Sequence, residues 1–81
     1  MINVLFFGQL KEQLQTGQLS IELPVNDVKA LKTALGQRGV LWRECLSGAS
    51  TLVAINQTIG SDKSTINDGD EVAFFPPVTG G

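Results

Sequence analysis

Hydrophobic positions fall in a few short, strongly patterned runs. The first, Ile2-Asn3-Val4-Leu5-Phe6-Phe7, is rich in strand formers and ends at Gly8. Both of its faces, Ile2/Val4/Phe6 and Asn3/Leu5/Phe7, are largely apolar, which predicts a central strand with something on each side. Leu10 and Leu14, four apart, fit a short helical turn over Gly8 to Gln15, and the chain is expected to reverse near Gly17. Leu19 to Leu23 alternates apolar and polar, as a strand with one wet face does, and Pro24 ends it. Val28, Leu31 and Leu35, widened by Ala34, predict a buried stripe on a helix from Val28 to about Gln37. Asn26 or Asp27 caps that helix, and Lys29 and Lys32 are expected on its solvated side. Val40 to Leu46 is ambiguous and fits a further helical turn tucking Trp42 or Leu46 against the core.

Thr51 to Ile55 reads as another strand, reversed at Asn56-Gln57 into a short return strand at Thr58-Ile59. Asn67-Asp68-Gly69-Asp70 is a turn signal, with Gly69 free to take positive φ. The last run, Glu71-Val72-Ala73-Phe74-Phe75, is again apolar on both faces, and Pro76-Pro77 stops it. The order is strand, strand, helix, strand, short strand, strand. It predicts an α+β domain, a mixed sheet with one main helix packed on one face. The doubly apolar first and last strands belong side by side at the sheet centre; if parallel, they make a ubiquitin-like β-grasp. The domain is expected over 1–75, with an extended, flexible tail over 76–81.

Composition narrows the chemistry. Eighty-one residues, 42% apolar, suit a single small domain. Six Lys plus Arg against eight Asp plus Glu give a net charge of −2, with the basic residues scattered. That pattern argues against a nucleic-acid partner. With no His and only one Cys, Cys45, a His-based triad, a His general base and a Cys/His zinc site are excluded. No apolar run is long enough to span a membrane, and no signal-peptide pattern opens the chain, so a cytoplasmic protein with no membrane partner is expected. Without an export signal, Asn56-Gln57-Thr58 reads as a turn and not as a glycosylation acceptor. Cys45, in an apolar-rich stretch with no His to activate it, reads as an inert thiol. Asp68, Asp70 and Glu71 read as a turn and strand start, too few oxygens for a calcium loop.

What remains is the tail, Pro76-Pro77-Val78-Thr79-Gly80-Gly81. Two prolines favour an extended exit, and six residues reach roughly 20 Å at ~3.3 Å each, enough to enter a neighbouring protein's pocket. Gly80 and Gly81 lack Cβ and fit a narrow channel. Beyond them lies a carboxylate. Adenylation would make it an electrophile, and attack by sulfur would then give a thiocarboxylate. None of this needs a catalytic side chain on this chain; the activating and receiving enzymes supply acid, base and metal. A frayed terminus is the plain alternative for Gly-Gly alone.

Three stretches, Val4-Leu5-Phe6-Phe7-Gly8-Gln9-Leu10, Ala54-Ile55-Asn56-Gln57-Thr58 and Asp68 through Gly81, together resemble the small subunits of molybdopterin synthase, a ubiquitin-like sulfur carrier family. The resemblance spans the chain, is most specific at the tail and is thinnest over Gly36 to Ser50. It implies a β-grasp carrier whose Gly81 is adenylated by an E1-like enzyme using ATP and Mg, then thiocarboxylated with sulfur from a donor such as a cysteine desulfurase. Val78, Thr79, Gly80 and Gly81 would insert into the large synthase subunit, in a 2+2 heterotetramer. There the sulfur passes to cyclic pyranopterin monophosphate to form the molybdopterin dithiolene. No cofactor or metal bound by this chain is implied.

The residues themselves point to a docking face. If the helix covers Ile2, Val4 and Phe6, then Leu5, Phe7 and Phe75 look outward, and exposed aromatics on a small domain mark a partner patch. The resemblance implies the same face, with Lys11 and Ile59 as further contacts. A loop, or the segment from Val40 to Leu46, would be the alternative cover. A carrier for thiamine or tRNA thiolation, or a protein modifier or binding module, would share the Gly-Gly end.

Overall fold

The computed structural model describes residues 1–22, 25–47 and 51–76. In chain order the elements are β1 (Ile2–Phe6), α1 (Gly8–Leu14), β2 (Gln18–Ile21), α2 (Val28–Gly36), α3 (Val40–Ser47), β3 (Leu52–Ile55), β4 (Thr58–Ile59) and β5 (Glu71–Phe75). The strands form one five-stranded sheet ordered β2-β1-β5-β3-β4. β1 and β5 are parallel neighbours near its middle, in the register Val4 with Val72 and Phe6 with Phe74, and the other pairings are antiparallel. This is the expected β-grasp arrangement. The expectation of something on each side of the first strand holds only on the Val4 and Phe6 side, because all three helices pack there and none is left for the face that bears Leu5 and Phe7.

One face of the sheet meets the helices. Val4, Phe6, Val72 and Phe74 are at most 1% exposed and pack with Val28, Leu31 and Leu35 of α2. The phenyl rings of Phe6 and Phe74 stack 5.9 Å apart, and Trp42 of α3 meets Phe6 edge-on at 5.4 Å. The segment from Val40 is therefore a second full helix on the layer occupied by α2, with Leu46 buried and Trp42 packed against the core. It covers the Phe6 side of the sheet and leaves the Phe7 side open.

The start of α2 shows why the helix begins where it does. Of the N–H groups that a helix N-terminus leaves unpaired, those of Val28 and Lys29 donate to the carbonyls of Ser64 and Asp62, at 3.1 and 3.0 Å. The N–H of Ala30 donates to Oδ1 of Asp27 at 2.7 Å, so Asp27, not Asn26, is the cap. Such a cap contributes about 1 kcal/mol. Lys32 departs from its expected place on the solvated side. Its side chain is only 15% exposed and its Nζ donates to Asp62 at 2.7 Å, because the 61–66 segment docks along α2. Leu23 and Pro24, expected to end the second strand, lie outside the described residues.

The reversal expected near Gly17 is made with Gln15 in the left-handed region, φ 52°, and the other two form as their residues predict. Asn56 and Gln57 take φ of 50° and 70° and join β3 to β4 as a two-residue hairpin. Gly69 takes φ of 90° in the turn before β5, where the N–H of Asp70 donates to the Asn67 carbonyl.

Candidate functional site: an open apolar sheet face ending at the C-terminal strand

The face of the sheet turned away from the helices is built by alternation. Side chains opposite in parity to Val4, Phe6, Val72 and Phe74 must point the other way. The register places Leu5, Ala73, Ala54 and Ile59 in one row across four strands, and Phe75 beside Leu52 in the next. Phe7 keeps extended geometry, φ −124° and ψ 160°, so it continues the outward parity of β1, and its N–H donates to the Phe74 carbonyl at 3.1 Å. The rim is large and open: Phe7 is 49% and Ile59 66% exposed, while Leu5, Leu52 and Phe75 are half-buried. Two alanines lie between them, so the middle of the face is shallow. Toward the other end the face turns polar, with Ser20, Asn3, Glu71 and Asn56. There Ser20 donates to Asn3, and the Asn56 amide oxygen accepts from the Glu71 N–H.

The structure thus brings Phe7, Phe75 and Ile59 onto one surface and adds Leu52, Ala54 and Ala73. The alternation of Thr51 to Ile55 carried a signal for the first two, but the pairing of β3 with β5 was needed to place them. Lys11 sits on α1, exposed, with its side chain lying across Gly17 at the turn into β2. Val78, Thr79, Gly80 and Gly81 lie outside the described residues. Pro76, the last described residue, is half-buried and its ring rests over Gly8.

Two titratable groups, Asp70 and Cys45, are shifted by their surroundings. Asp70 accepts from the N–H of Asn67 at 2.8 Å and from Nδ2 of Asn56 at 3.1 Å, and these hold its carboxyl below the usual carboxylate range. Burial, and then the neighbouring Glu44 carboxylate, push the Cys45 thiol upward. Its Sγ lies 3.5 Å from Oε1 of Gln13, on the helical layer. A thiol so placed is protonated at neutral pH and is a poor nucleophile. A cavity of about 690 Å³ opens between α2 and α3, lined in part by Lys29, Lys32, Arg43 and Asp62, and shares no residue with the apolar face. Among the described residues, no cluster of three or more His, Cys, Asp or Glu side chains is placed to hold a metal ion. No helix there is long and apolar enough to cross a membrane.

A mixed sheet with parallel central strands, helices on one face and an apolar patch on the other defines a ubiquitin-like β-grasp domain. The chain belongs to the ThiS family, whose model matches residues 4–81. It is 43% identical over 81 residues to the molybdopterin synthase sulfur carrier subunit of Haemophilus influenzae, and the match covers 100% of both chains. Among solved structures, SAMP1 from Haloferax volcanii has the same fold, with a TM-score of 0.83 at 22% identity over 99% of this chain and 98% of that one. A Helicobacter pylori complex of subunits 1 and 2 of molybdopterin-converting factor contains a chain 30% identical to this one. The TM-score is 0.69, over 99% of this chain and 97% of that chain.

Proposed function

We propose that this chain is the sulfur carrier subunit of a molybdopterin synthase, with Gly81 as the residue that carries the sulfur. The observation that supports this most directly is the end-to-end match to a curated sulfur carrier subunit, which runs through Gly81. The open face suits the role. It offers a partner Phe7, Leu52, Ile59 and Phe75 beside the strand that leads into the tail, and the partner in this reading is the synthase large subunit.

In this reading an E1-like enzyme transfers the adenylyl group of ATP to the Gly81 carboxylate and releases pyrophosphate. A persulfide drawn from a donor such as a cysteine desulfurase then attacks the acyl carbon and AMP leaves; a thiol reductant cleaves the S–S bond of the resulting acyl disulfide, and Gly81 becomes a thiocarboxylate. Docked on the large subunit, in two copies of each chain, the thiocarboxylate gives its sulfur to cyclic pyranopterin monophosphate. The chain itself binds, reaches and presents. Val78, Thr79 and Gly80 pass through a channel, and acid–base work falls to the partners. Lys11, exposed on α1, would add a charged contact from outside the apolar face.

Intact mass spectrometry tests the reading. With activating enzyme, ATP and sulfur source, the chain gains the mass difference of one oxygen replaced by sulfur, and a chain lacking Gly81 does not. With the large subunit present, only the thiocarboxylated chain yields molybdopterin. An unchanged mass with competent enzymes, or molybdopterin formed by the chain lacking Gly81, overturns it.

A further inference from the structure

We propose that Gly8 is a positioning residue for the C-terminal tail: its bare Cα is the seat of the Pro76 ring, and this seat sets the direction in which residues 77–81 leave the sheet. The inference rests on the sulfur carrier reading and deepens it. Two separate features of Gly8 carry it. Its φ is +59°, a conformation that favours glycine, and a Cβ built on it would stand 3.0 Å from Cγ and 3.2 Å from Cδ of Pro76. The first feature concerns the turn from β1 into α1. The second concerns only the tail.

The sequence removes most other freedom at this junction. The Pro76 ring fixes its own φ, and a proline disfavours the helical region for the residue before it, so Phe75 is held extended by Pro76 and Pro76 by Pro77. Upstream, the N–H of Phe7 bonds the Phe74 carbonyl, which locks the end of β5 to the end of β1. What remains is the tilt of the ring against the sheet, and contact with Gly8 sets it. A methyl group there tips the ring away. Over five further residues, roughly 16 Å when extended, a small tilt moves Gly81 by more than an ångström.

Gly69 supplies the internal comparison. Its φ is +90°, yet nothing lies within 4 Å of where its Cβ would stand. A Gly69→Ala change therefore brings backbone strain alone, whereas Gly8→Ala brings strain and a contact with the Pro76 ring tight enough to displace it by a few tenths of an ångström. ATP–pyrophosphate exchange with the activating enzyme reads the consequence. Gly8→Ala is expected to lower kcat about tenfold, since an ångström of misplacement at a reacting centre costs up to ~100-fold. KM, to which the buried contact between Gly8 and Pro76 adds no exposed surface, stays near that of the parent chain. Gly69→Ala loses melting temperature and keeps kcat. Adding Pro76→Ala to Gly8→Ala restores part of kcat. Gly8→Asn, which tolerates positive φ better but carries the same Cβ, loses kcat with a smaller fall in melting temperature and serves if the alanine variant folds poorly.

Equal loss of kcat in the Gly8 and Gly69 variants, or no recovery on removing the Pro76 ring, overturns the proposal. A second readout needs no enzyme. A nuclear Overhauser contact between the Gly8 α-protons and the Pro76 ring is present in the parent chain, and its absence sinks the seat. If the parent chain itself shows neither exchange nor mass gain while that contact is present, the sulfur carrier reading has failed and the seat has not.

Discussion

Ile59 offers the sharpest test of the open face, because its contribution to docking and its contribution to folding differ in size. It stands on the short strand β4, is 66% exposed, and points to the side opposite the helices. Burying a whole isoleucine side chain is worth about 1.5–3 kcal/mol. Two thirds of that is still to be gained on docking, so Ile59→Ala should weaken binding by about 1–2 kcal/mol, roughly 5- to 30-fold in Kd. The third already in contact limits the loss of folding stability to about 0.5–1 kcal/mol. Ile66→Val is the matched control: Ile66 is 3% exposed within the core, and the change costs about 0.5–1.5 kcal/mol of stability. Calorimetric titration against the synthase large subunit, alongside urea melts of the free chain, separates the two effects. Both variants should lose a similar, small amount of stability, and only Ile59→Ala should lose affinity. Affinity of Ile59→Ala within twofold of the parent, with the Ile66→Val control behaving as stated, refutes the docking face at β4.

The remaining predictions concern two titratable groups. Because hydrogen bonds lower the folded-state pKa of Asp70, its contribution to stability is present above the unfolded value and is lost as pH falls through the folded one. The melting-temperature gap between the parent chain and Asp70→Asn should be constant near neutrality and close below the ordinary aspartate pKa of about 3.9; a gap that widens on acidification contradicts the assignment. Cys45, with its thiol raised by burial and by Glu44, should react with iodoacetamide at pH 8 several times more slowly than free cysteine. Alkylation at the rate of the free amino acid would show that the thiol is neither shielded nor raised.

Much of this fold was legible because its central strands announce themselves. Two runs apolar on both faces, β1 and β5, have few places to go in a sheet covered on one side, and they pair at the centre. Their outward residues Phe7 and Phe75 then follow from parity alone. Helix α3 was harder to read. Gly36 and Gly39 interrupt the helical pattern, and Val40 and Leu41 are exposed at its start, so the true stripe of Trp42, Cys45 and Leu46 is diluted. Lys32 misled because its partner, Asp62, is thirty residues away and local periodicity says nothing about it. The same limit hid the floor of the open face. Ala54 and Ala73 are small and carry no chemistry, and only the register of β3 on β5 brings them together between larger neighbours.

The parallel pairing of β1 with β5 has a functional consequence that neither strand has alone. Parallel strands finish at the same end of a sheet, so Phe7, which ends the outward row of β1, comes to lie beside Phe75 where the tail begins. Had the two strands run antiparallel, the end of β5 would sit against the start of β1, displaced by about five residues or roughly 16 Å. A partner gripping Phe7 would then hold the chain far from its reactive end. Here the grip and the point of departure coincide, so docking on the apolar face anchors the tail within a residue or two of its origin. In the proposed reading the reach of Gly81 then follows from the length of the tail and from the direction that the Gly8 seat gives it. Lengthening the tail would move the terminal carboxylate away from a fixed distance, and shortening it by a single glycine would withdraw it by about 3.3 Å, more than an acyl transfer tolerates.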